Sequence, residues 1–161
     1  MSLESVRAFF AEKAPDITVI EAQTSSATVA LAAEAFGVAP DRIAKTLSLR
    51  VGDRVVLIVA SGLSRMDNKK VKAMLGGKPK MLDLAEVAAI TGHEVGGVCP
   101  FGLKTPLQVY CDVSLKSHDE VVPAAGSTHS AVRIAPLRMA ELVGAQWVDV
   151  CGDNVVRDAH P

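Results

Sequence analysis

Apolar and polar residues follow two periodicities along the chain, one typical of helices and one typical of strands. Apolar positions three and four residues apart predict helices over Ser2–Lys13, Ala27–Phe36, Asn68–Leu75, Leu84–Ile90 and Pro136–Val143. Short β-branched or alternating runs predict strands over Ile17–Ala22, Ile43–Val51, Arg54–Ala60, Lys80–Leu82, Gln108–Asp112, Glu120–Ala124, Val132–Ile134 and Gln146–Val150. Residues suited to helix ends support several of these boundaries, with N-caps predicted at Ser26, Asp67 and Asp83 and C-caps at Gly37 and Gly144.

The order of these elements indicates the class of fold. Strands do not alternate regularly with helices, which disfavours a doubly wound parallel sheet. We therefore expect an α+β (mixed α/β) domain, with a mixed β-sheet or pseudo-barrel flanked by helices. Residues 1–152 are predicted to form this single domain, and residues 153–161 a polar C-terminal tail.

Composition narrows the class of protein. Hydrophobic residues make up 49% of the 161 residues and aromatic residues only 4%, so the core must be built from aliphatic side chains. No apolar run is long enough to span a bilayer, and the first residues lack the pattern of a signal peptide. The three cysteines show no Cys-x-x-Cys spacing, which argues against a disulfide framework. A cytoplasmic protein without membrane contacts is expected.

Positive charge is concentrated between residues 65 and 80, although the net charge of the chain is only −1. Lys69, Lys70 and Lys72 lie in this stretch on the predicted helix 68–75. Two interpretations stay open: a solvated helix face, or a patch that faces phosphate groups.

The stretch Val95–Lys104 reads Val-Gly-Gly-Val-Cys-Pro-Phe-Gly-Leu-Lys and suits neither a helix nor a strand. It predicts a shaped loop whose bare backbone amides can approach a ligand closely, or simply a tight turn between two elements. Lys45 is the other unusual residue, because it lies among apolar neighbours at the start of a strand.

Several kinds of active site can be weighed from these residues. The four histidines show no metal-ligand spacing, so neither a metal site nor a cofactor is expected. A Cys99 nucleophile with His93 or His129 as base stays open, although Cys99 suits a buried apolar position better. No Walker pattern accompanies the glycines. Loop amides together with the charge of Lys45 would suit stabilisation of a developing oxyanion.

Five stretches resemble the YbaK/prolyl-tRNA-synthetase-associated domain family. In chain order they are Ala27–Gly37, Ile43–Leu47, Leu84–Gly92, Val95–Gly102 and Ala125–Ser127, and the resemblance extends over about residues 2–150. The family comprises free-standing relatives of the domain that edits mischarged tRNA in bacterial prolyl-tRNA synthetases.

The resemblance implies a trans-editing aminoacyl-tRNA deacylase that removes a small amino acid, such as Ala, Ser, Cys or Thr. It implies catalytic roles for Lys45, Gly96 and Gly97. It also implies a substrate pocket near Ser25, Ser26, Val98, Cys99, Pro100, Phe101, Gly102, Gly126, Ser127 and His129. Lys69, Lys70 and Lys72 become candidates for tRNA contacts.

The resemblance also bears on partners and on alternatives. Mischarged tRNA is the expected partner, with an aminoacyl-tRNA synthetase such as prolyl-tRNA synthetase as a further one, and the chain would act as a monomer or homodimer. The family's cysteine-specific members carry a tyrosine on the strand matching 18–20 and an acidic residue near Ala131, and this chain has neither. The alternatives are a catalytically silent tRNA-binding or synthetase-associated module of the same fold and a cysteine-dependent hydrolase.

Overall fold

A computed structural model describes residues 2–152 of the protein. The helices are α1 (Ser2–Lys13), α2 (Val29–Phe36), α3 (Asn68–Leu75), α4 (Leu84–Thr91) and α5 (Pro136–Val143). The strands are β1 (Ile20–Glu21), β2 (Ile43–Val51), β3 (Arg54–Ser61), β4 (Pro79–Met81), β5 (Gln108–Asp112), β6 (Val122–Pro123), β7 (Ser130–Ala131) and β8 (Gln146–Val148). Short 3₁₀ helices cover Pro40–Arg42 and Val113–Ser117.

The main sheet is mixed, as the sequence predicts. Its strands lie in the order β4-β2-β3-β5-β8, and β6 pairs with β2 outside this path. β2 runs antiparallel to β3 and β4, whereas β5 is parallel to β3 and β8. The hairpin between β2 and β3 turns through Gly52 and Asp53 in the predicted way. The fold is therefore the expected α+β class, with helices packed around one mixed sheet.

The caps confirm most of the predicted helix ends. Asp67 and Asp83 accept backbone N–H groups at the starts of α3 and α4. Gly37 and Gly144 end α2 and α5 in the left-handed conformation that glycine adopts without strain. The N-cap of α2 is a correction, because its side-chain acceptor is Thr28 rather than Ser26, and the helix begins at Val29.

Most strands outside the central pair are shorter than predicted. β1 covers only Ile20–Glu21 instead of Ile17–Ala22, because its one partner, β7, is itself two residues long. The strand predicted at Val132–Ile134 is replaced by Ser130–Ala131, and the one at Glu120–Ala124 shrinks to Val122–Pro123. Apolar alternation marks buried positions, whereas strand length depends on partners far away in sequence. The tail predicted at residues 153–161 lies outside the described residues.

The core consists of three apolar clusters around the sheet. The largest joins α1 and α5 to β3 and β5 through buried residues such as Phe10, Leu57 and Met139. A second lies between β2 and α3, and a third packs α2 against the start of β2 and against β6 and β7. In residues 2–152, no helix is both long and apolar enough to cross a membrane.

Candidate active site

The site begins as a gap along one edge of β2. Near the start of this strand, β6 pairs with Ile43 and Ala44. Near its end, β4 pairs with residues 49–51. Residues 45–48 lie between these two pairings, and no strand within residues 2–152 lies beside them on that edge.

A cavity of about 260 Å³ opens at this gap. Its walls come from the N-terminal turn of α2, from β2, from the β4–α4 junction, from the loop before Cys99, and from β6 and β7. The described residues that line it are Ser26, Ala27, Thr28, Val29, Ala32, Phe36, Ile43, Ala44, Lys45, Thr46, Leu47, Ser48, Met81, Leu82, Leu84, Val87, Val95, Gly96, Val98, Val122, Ala124, Ser130 and Ala131. Most of this wall is apolar, and its polar groups are hydroxyls, backbone amides and one ammonium.

Lys45 is the only charged residue among those described lining residues. Its Nζ donates hydrogen bonds to the backbone carbonyls of Gly62 and Ser64, so the ammonium is held in place at the wall. The N-terminus of α2 adds partial positive charge through Thr28 and Val29, which also line the cavity. The electrostatic environment therefore favours a group that becomes negative during a reaction.

Gly62 and Ser64, whose carbonyls accept hydrogen bonds from Lys45, are positions that the sequence patterns did not single out. A Cβ atom on Gly62 would lie 2.2 Å from the carbonyl oxygen of Pro40, so only glycine fits this turn. The small residues Gly62 and Ser64, directly after the end of β3, are the available signal in the sequence.

The glycine-rich loop lies against the loop 126–128. A Cβ on Gly97 would lie 2.6 Å from the amide nitrogen of Ser127, and one on Gly96 would lie 3.0 Å from Cβ of Ala27. Gly96 also has a positive φ of 91°. The prediction of a shaped loop is therefore correct, and close backbone approach is the reason for its glycines.

The amides of this loop are not equivalent. The N–H of Gly97 donates to the carbonyl of Glu94 at 2.9 Å, and Gly97 is not among the described residues that line the cavity, so the structure does not place this predicted ester contact at the cavity wall. Gly96 and Val98 do line the cavity, and their N–H groups have no hydrogen-bond acceptor within residues 2–152. These two amides are the donors that the loop can offer.

Cys99 faces the core and does not line the cavity, which corrects its predicted position. Its Sγ lies 3.5 Å from Nε2 of His93, yet both side chains are buried. Burial raises the pKa of the Cys99 thiol to about 12 and lowers the pKa of His93. The thiol is therefore protonated at neutral pH, which excludes the thiolate that a cysteine nucleophile requires.

Pro100, Phe101 and Gly102, also predicted to line the substrate pocket, instead pack against other parts of the chain. Phe101 is fully buried, with its ring centroid 4.7 Å from that of Phe10. Pro100 is buried as well, and a Cβ on Gly102 would lie 2.6 Å from the carbonyl oxygen of Ser5. These residues fasten the loop to α1, so their predicted contact with substrate is a correction.

Ser25 and Ser26 have different roles. Ser26 lines the cavity, and both its N–H and its hydroxyl donate to the carbonyl of Thr128. Ser25 lies outside the cavity wall, where its Oγ accepts the N–H of Ala27 at 3.2 Å.

The predicted opposite rim supports the wall without forming it. Gly126 packs on the backbone of Ser2, and its N–H donates to Gly97. Ser127 shares a 2.6 Å hydroxyl contact with Ser130, the residue that actually lines the cavity. His129 is exposed and contacts its neighbour Thr128, so placing Gly126, Ser127 and His129 on the rim is a correction.

The three lysines of α3 lie in different environments. Nζ of Lys70 donates to Asp149 and to the carbonyl of Cys151, at 2.9 Å each, and the Asp149 carboxylate raises the pKa of Lys70. Lys70 therefore joins α3 to the end of the described chain instead of extending into solvent. Lys69 and Lys72 are exposed. Among residues 2–152, no group of three His, Cys, Asp or Glu side chains could hold a metal ion.

Comparison with known proteins shows the class to which this fold and site belong. The sequence pattern of the aminoacyl-tRNA editing domain matches residues 23–142, which include every residue that lines the cavity. The chain therefore belongs to the aminoacyl-tRNA editing domain family. Its activity class is that of an aminoacyl-tRNA deacylase.

Individual relatives agree with this class. YwhH of Bacillus subtilis, an uncharacterized protein, is 50% identical over 95% of this chain and 99% of its own length. A candidate Cys-tRNA(Pro)/Cys-tRNA(Cys) deacylase of Enterococcus faecalis, EbsC, is 30% identical over 73% of each chain. The proline–tRNA ligase of Bacillus licheniformis is 30% identical over 63% of this chain and 18% of the ligase. A crystal structure of a candidate trans-editing enzyme for prolyl-tRNA synthetase superposes with a TM-score of 0.86, at 31% identity over 93% of this chain and 96% of that one.

Proposed function

We propose that this protein acts in trans on tRNA mischarged with a small amino acid of the Ala, Ser, Cys or Thr class, and hydrolyses its ester bond. One observation carries the proposal. The cavity has a single cation, Lys45, and its described lining contains no Asp, Glu, His or Cys. Such a lining offers no carboxylate, imidazole or thiol as base or nucleophile, but its ammonium and backbone amides can stabilise a negative charge that forms on an ester oxygen.

The chemistry needs only water and the substrate itself. Water attacks the ester carbonyl carbon, and its proton passes to solvent with help from the neighbouring ribose hydroxyl. Lys45 and the amides of Gly96 and Val98 stabilise the oxyanion that forms. The carbon–oxygen bond then breaks, the ribose oxygen takes a proton, and the amino acid and the free tRNA leave.

The sizes of the side chains that line the cavity favour a substrate with a small amino acid side chain. Phe36, Val98 and Val122 bound it with branched or aromatic side chains, whereas Ala32, Ala44, Ala124 and Ala131 leave room for a short one. A synthetase separates side chains that differ by one methylene by only about 1–3 kcal/mol, so small wrong amino acids reach tRNA. A second site that admits these and excludes larger ones would remove the error.

Partners follow from the same reasoning. The similarity to proline–tRNA ligases supports tRNA(Pro) as the tRNA and prolyl-tRNA synthetase as a neighbour in the cell. The exposed lysines Lys69 and Lys72 are candidate phosphate contacts. Lys70 is not, because its ammonium is already held by Asp149 and Cys151.

A panel of esters on one tRNA tests the proposal. Purified protein is mixed with tRNA(Pro) carrying alanine, serine, cysteine, threonine, proline or leucine, and loss of each ester is timed against buffer alone. We expect acceleration of about 100-fold or more for at least one of the first four and little for proline and leucine. Binding of tRNA without acceleration of any ester would instead indicate a silent binding module.

A further inference from the structure

The backbone of Thr46 points into the gap along β2. In a strand, residues two apart direct their N–H and C=O groups to the same edge. The N–H of Leu82 donates to the carbonyl of Ser48 at 3.2 Å, so Ser48 faces the edge next to β4. Thr46, two residues earlier, therefore faces the same edge, where no strand pairs with it. Its backbone N–H and C=O are thus unused strand groups within the described part of the chain.

This unpaired edge is also a wall of the cavity. The lining residues include Ala124 directly after β6, Met81 and Leu82 at the end of β4, and Thr46 between them. A substrate in the cavity would therefore meet the open edge of β2 in the way that an added strand would.

The hydroxyl of Thr46 is unsatisfied as well. Its Oγ1 is buried and has no hydrogen-bond partner among residues 2–152, although Thr46 as a whole is only half-buried. Buried polar atoms are nearly always paired, so an orphan beside a cavity points to a missing ligand. Contact with a ligand requires the staggered χ1 position in which Oγ1 faces the cavity that Thr46 lines.

The chemistry of the substrate indicates which group binds there. Every aminoacyl ester carries an α-amino group, which is a hydrogen-bond donor and is attached to the carbon next to the reacting carbonyl. No carboxylate lies among the described lining residues, so neutral oxygen atoms must accept its hydrogens. Thr46 offers two such oxygens, and it directly follows Lys45, the residue assigned to the ester.

We propose that Thr46 binds the α-amino group of the aminoacyl ester, with its backbone carbonyl accepting one N–H and Oγ1 another. This assignment rests on the proposed function. It means that the site recognises the α-amino group of the amino acid in addition to the size of its side chain. The site would then distinguish an aminoacyl ester from any other acyl ester of the same size.

Two esters on one tRNA test this assignment. One carries the small amino acid that proves active in the panel, and the other carries the same acid with hydrogen in place of the amino group; for alanine this acid is propionate. Each rate is divided by the spontaneous rate of that ester. We expect the wild-type acceleration to be about tenfold or more greater for the aminoacyl ester, the effect of losing one or two hydrogen bonds.

A variant links the effect to the residue. Thr46→Val keeps the shape and removes the hydroxyl, so it should lose about tenfold on the aminoacyl ester and less than about twofold on the analogue. Thr105→Val makes the same chemical change at an exposed position outside the cavity and should alter neither rate. Circular dichroism melting checks that both variants fold.

Three results would overturn the assignment, and they differ from one another. Equal acceleration of both esters by the wild type would contradict the proposed contact with the α-amino group but would agree with the proposed function. A Thr46→Val loss confined to serine or threonine esters, with alanine unaffected, assigns the hydroxyl to the substrate side chain instead. No acceleration of any ester removes the proposed function together with this contact.

Discussion

At the scale of single residues, burial separates groups that resemble one another in sequence. Cys99 and His93 have the residue types of a nucleophile and its base, and they lie in contact, yet both are buried in the core. Lys45 is half-buried, and its ammonium is held at a cavity wall by two carbonyls. This difference in burial supports the role that we propose for Lys45 over one for Cys99.

The buried thiols of Cys99 and Cys111 predict how the free energy of unfolding depends on pH. Burial raises the pKa values of Cys99 and Cys111 to about 12, from an ordinary value near 9. Above pH 9 the unfolded chain loses these protons while the folded chain keeps them, so stability falls as pH rises from about 9 towards 12. We expect each thiol to cost on the order of 1 kcal/mol between pH 8 and pH 10.

Urea unfolding at pH 7, 8 and 10 measures this effect. The variant Cys99→Ala/Cys111→Ala should lose clearly less stability than the wild type between pH 8 and pH 10, although it is less stable at pH 7 because of lost packing. Parallel pH dependence in the two proteins would contradict the assigned pKa shifts.

At the scale of elements, the site depends on contacts between loops that are far apart in sequence. The loop at Gly96 and Gly97 lies on the backbone of residues 126–128, and Ser26 is fastened to the carbonyl of Thr128. These contacts place Gly96, Val98 and Ser130 on the cavity wall. The glycines matter because side chains would push the two loops apart.

Gly97→Ala tests this packing. The new methyl group would lie 2.6 Å from the Ser127 nitrogen, which is too close for any Cβ, so the loops must separate. We expect a loss of about 1–3 kcal/mol in the free energy of unfolding and a large loss of deacylation. Gly152→Ala is the matched control, because the nearest atom to its Cβ is 3.9 Å away. Equal stability of both variants in thermal melts would argue against the close approach.

The elements also show what sequence patterns can and cannot predict. The helix over residues 68–75 and its cap at Asp67 follow from local propensities, and the structure contains both. The strand at residues 20–21 and the gap along β2 depend on which distant strand pairs with which, and no local pattern records that. Lys45 could be singled out because it was charged among apolar neighbours. Thr46 could not be singled out, because its unpaired backbone groups result from where the distant strands β4 and β6 pair with β2.

At the scale of the whole molecule, the fold places the ammonium of Lys45 at the wall of a largely apolar cavity. The mixed sheet carries Lys45 on its longest strand, helix α2 adds its N-terminus, and the 95–98 loop adds amides. Candidate tRNA contacts, such as Lys69 and Lys72, lie on α3 away from this wall. Substrate recognition would thus be divided between a small pocket for the amino acid and a broader surface for the nucleic acid.

The charge of Lys45 is central to the proposed chemistry, and single-turnover deacylation by the Lys45→Met variant tests its contribution most directly. Methionine keeps most of the aliphatic length and removes the ammonium, so we expect the rate constant to fall about 100-fold or more while the Kd for tRNA changes less than about threefold. Lys13→Met is the control, because Lys13 is an exposed lysine of α1 outside the described cavity lining, and its rate constant should match the wild type. A Lys45→Met protein that folds and retains the wild-type rate constant would contradict the proposed role of the Lys45 ammonium in stabilising the oxyanion.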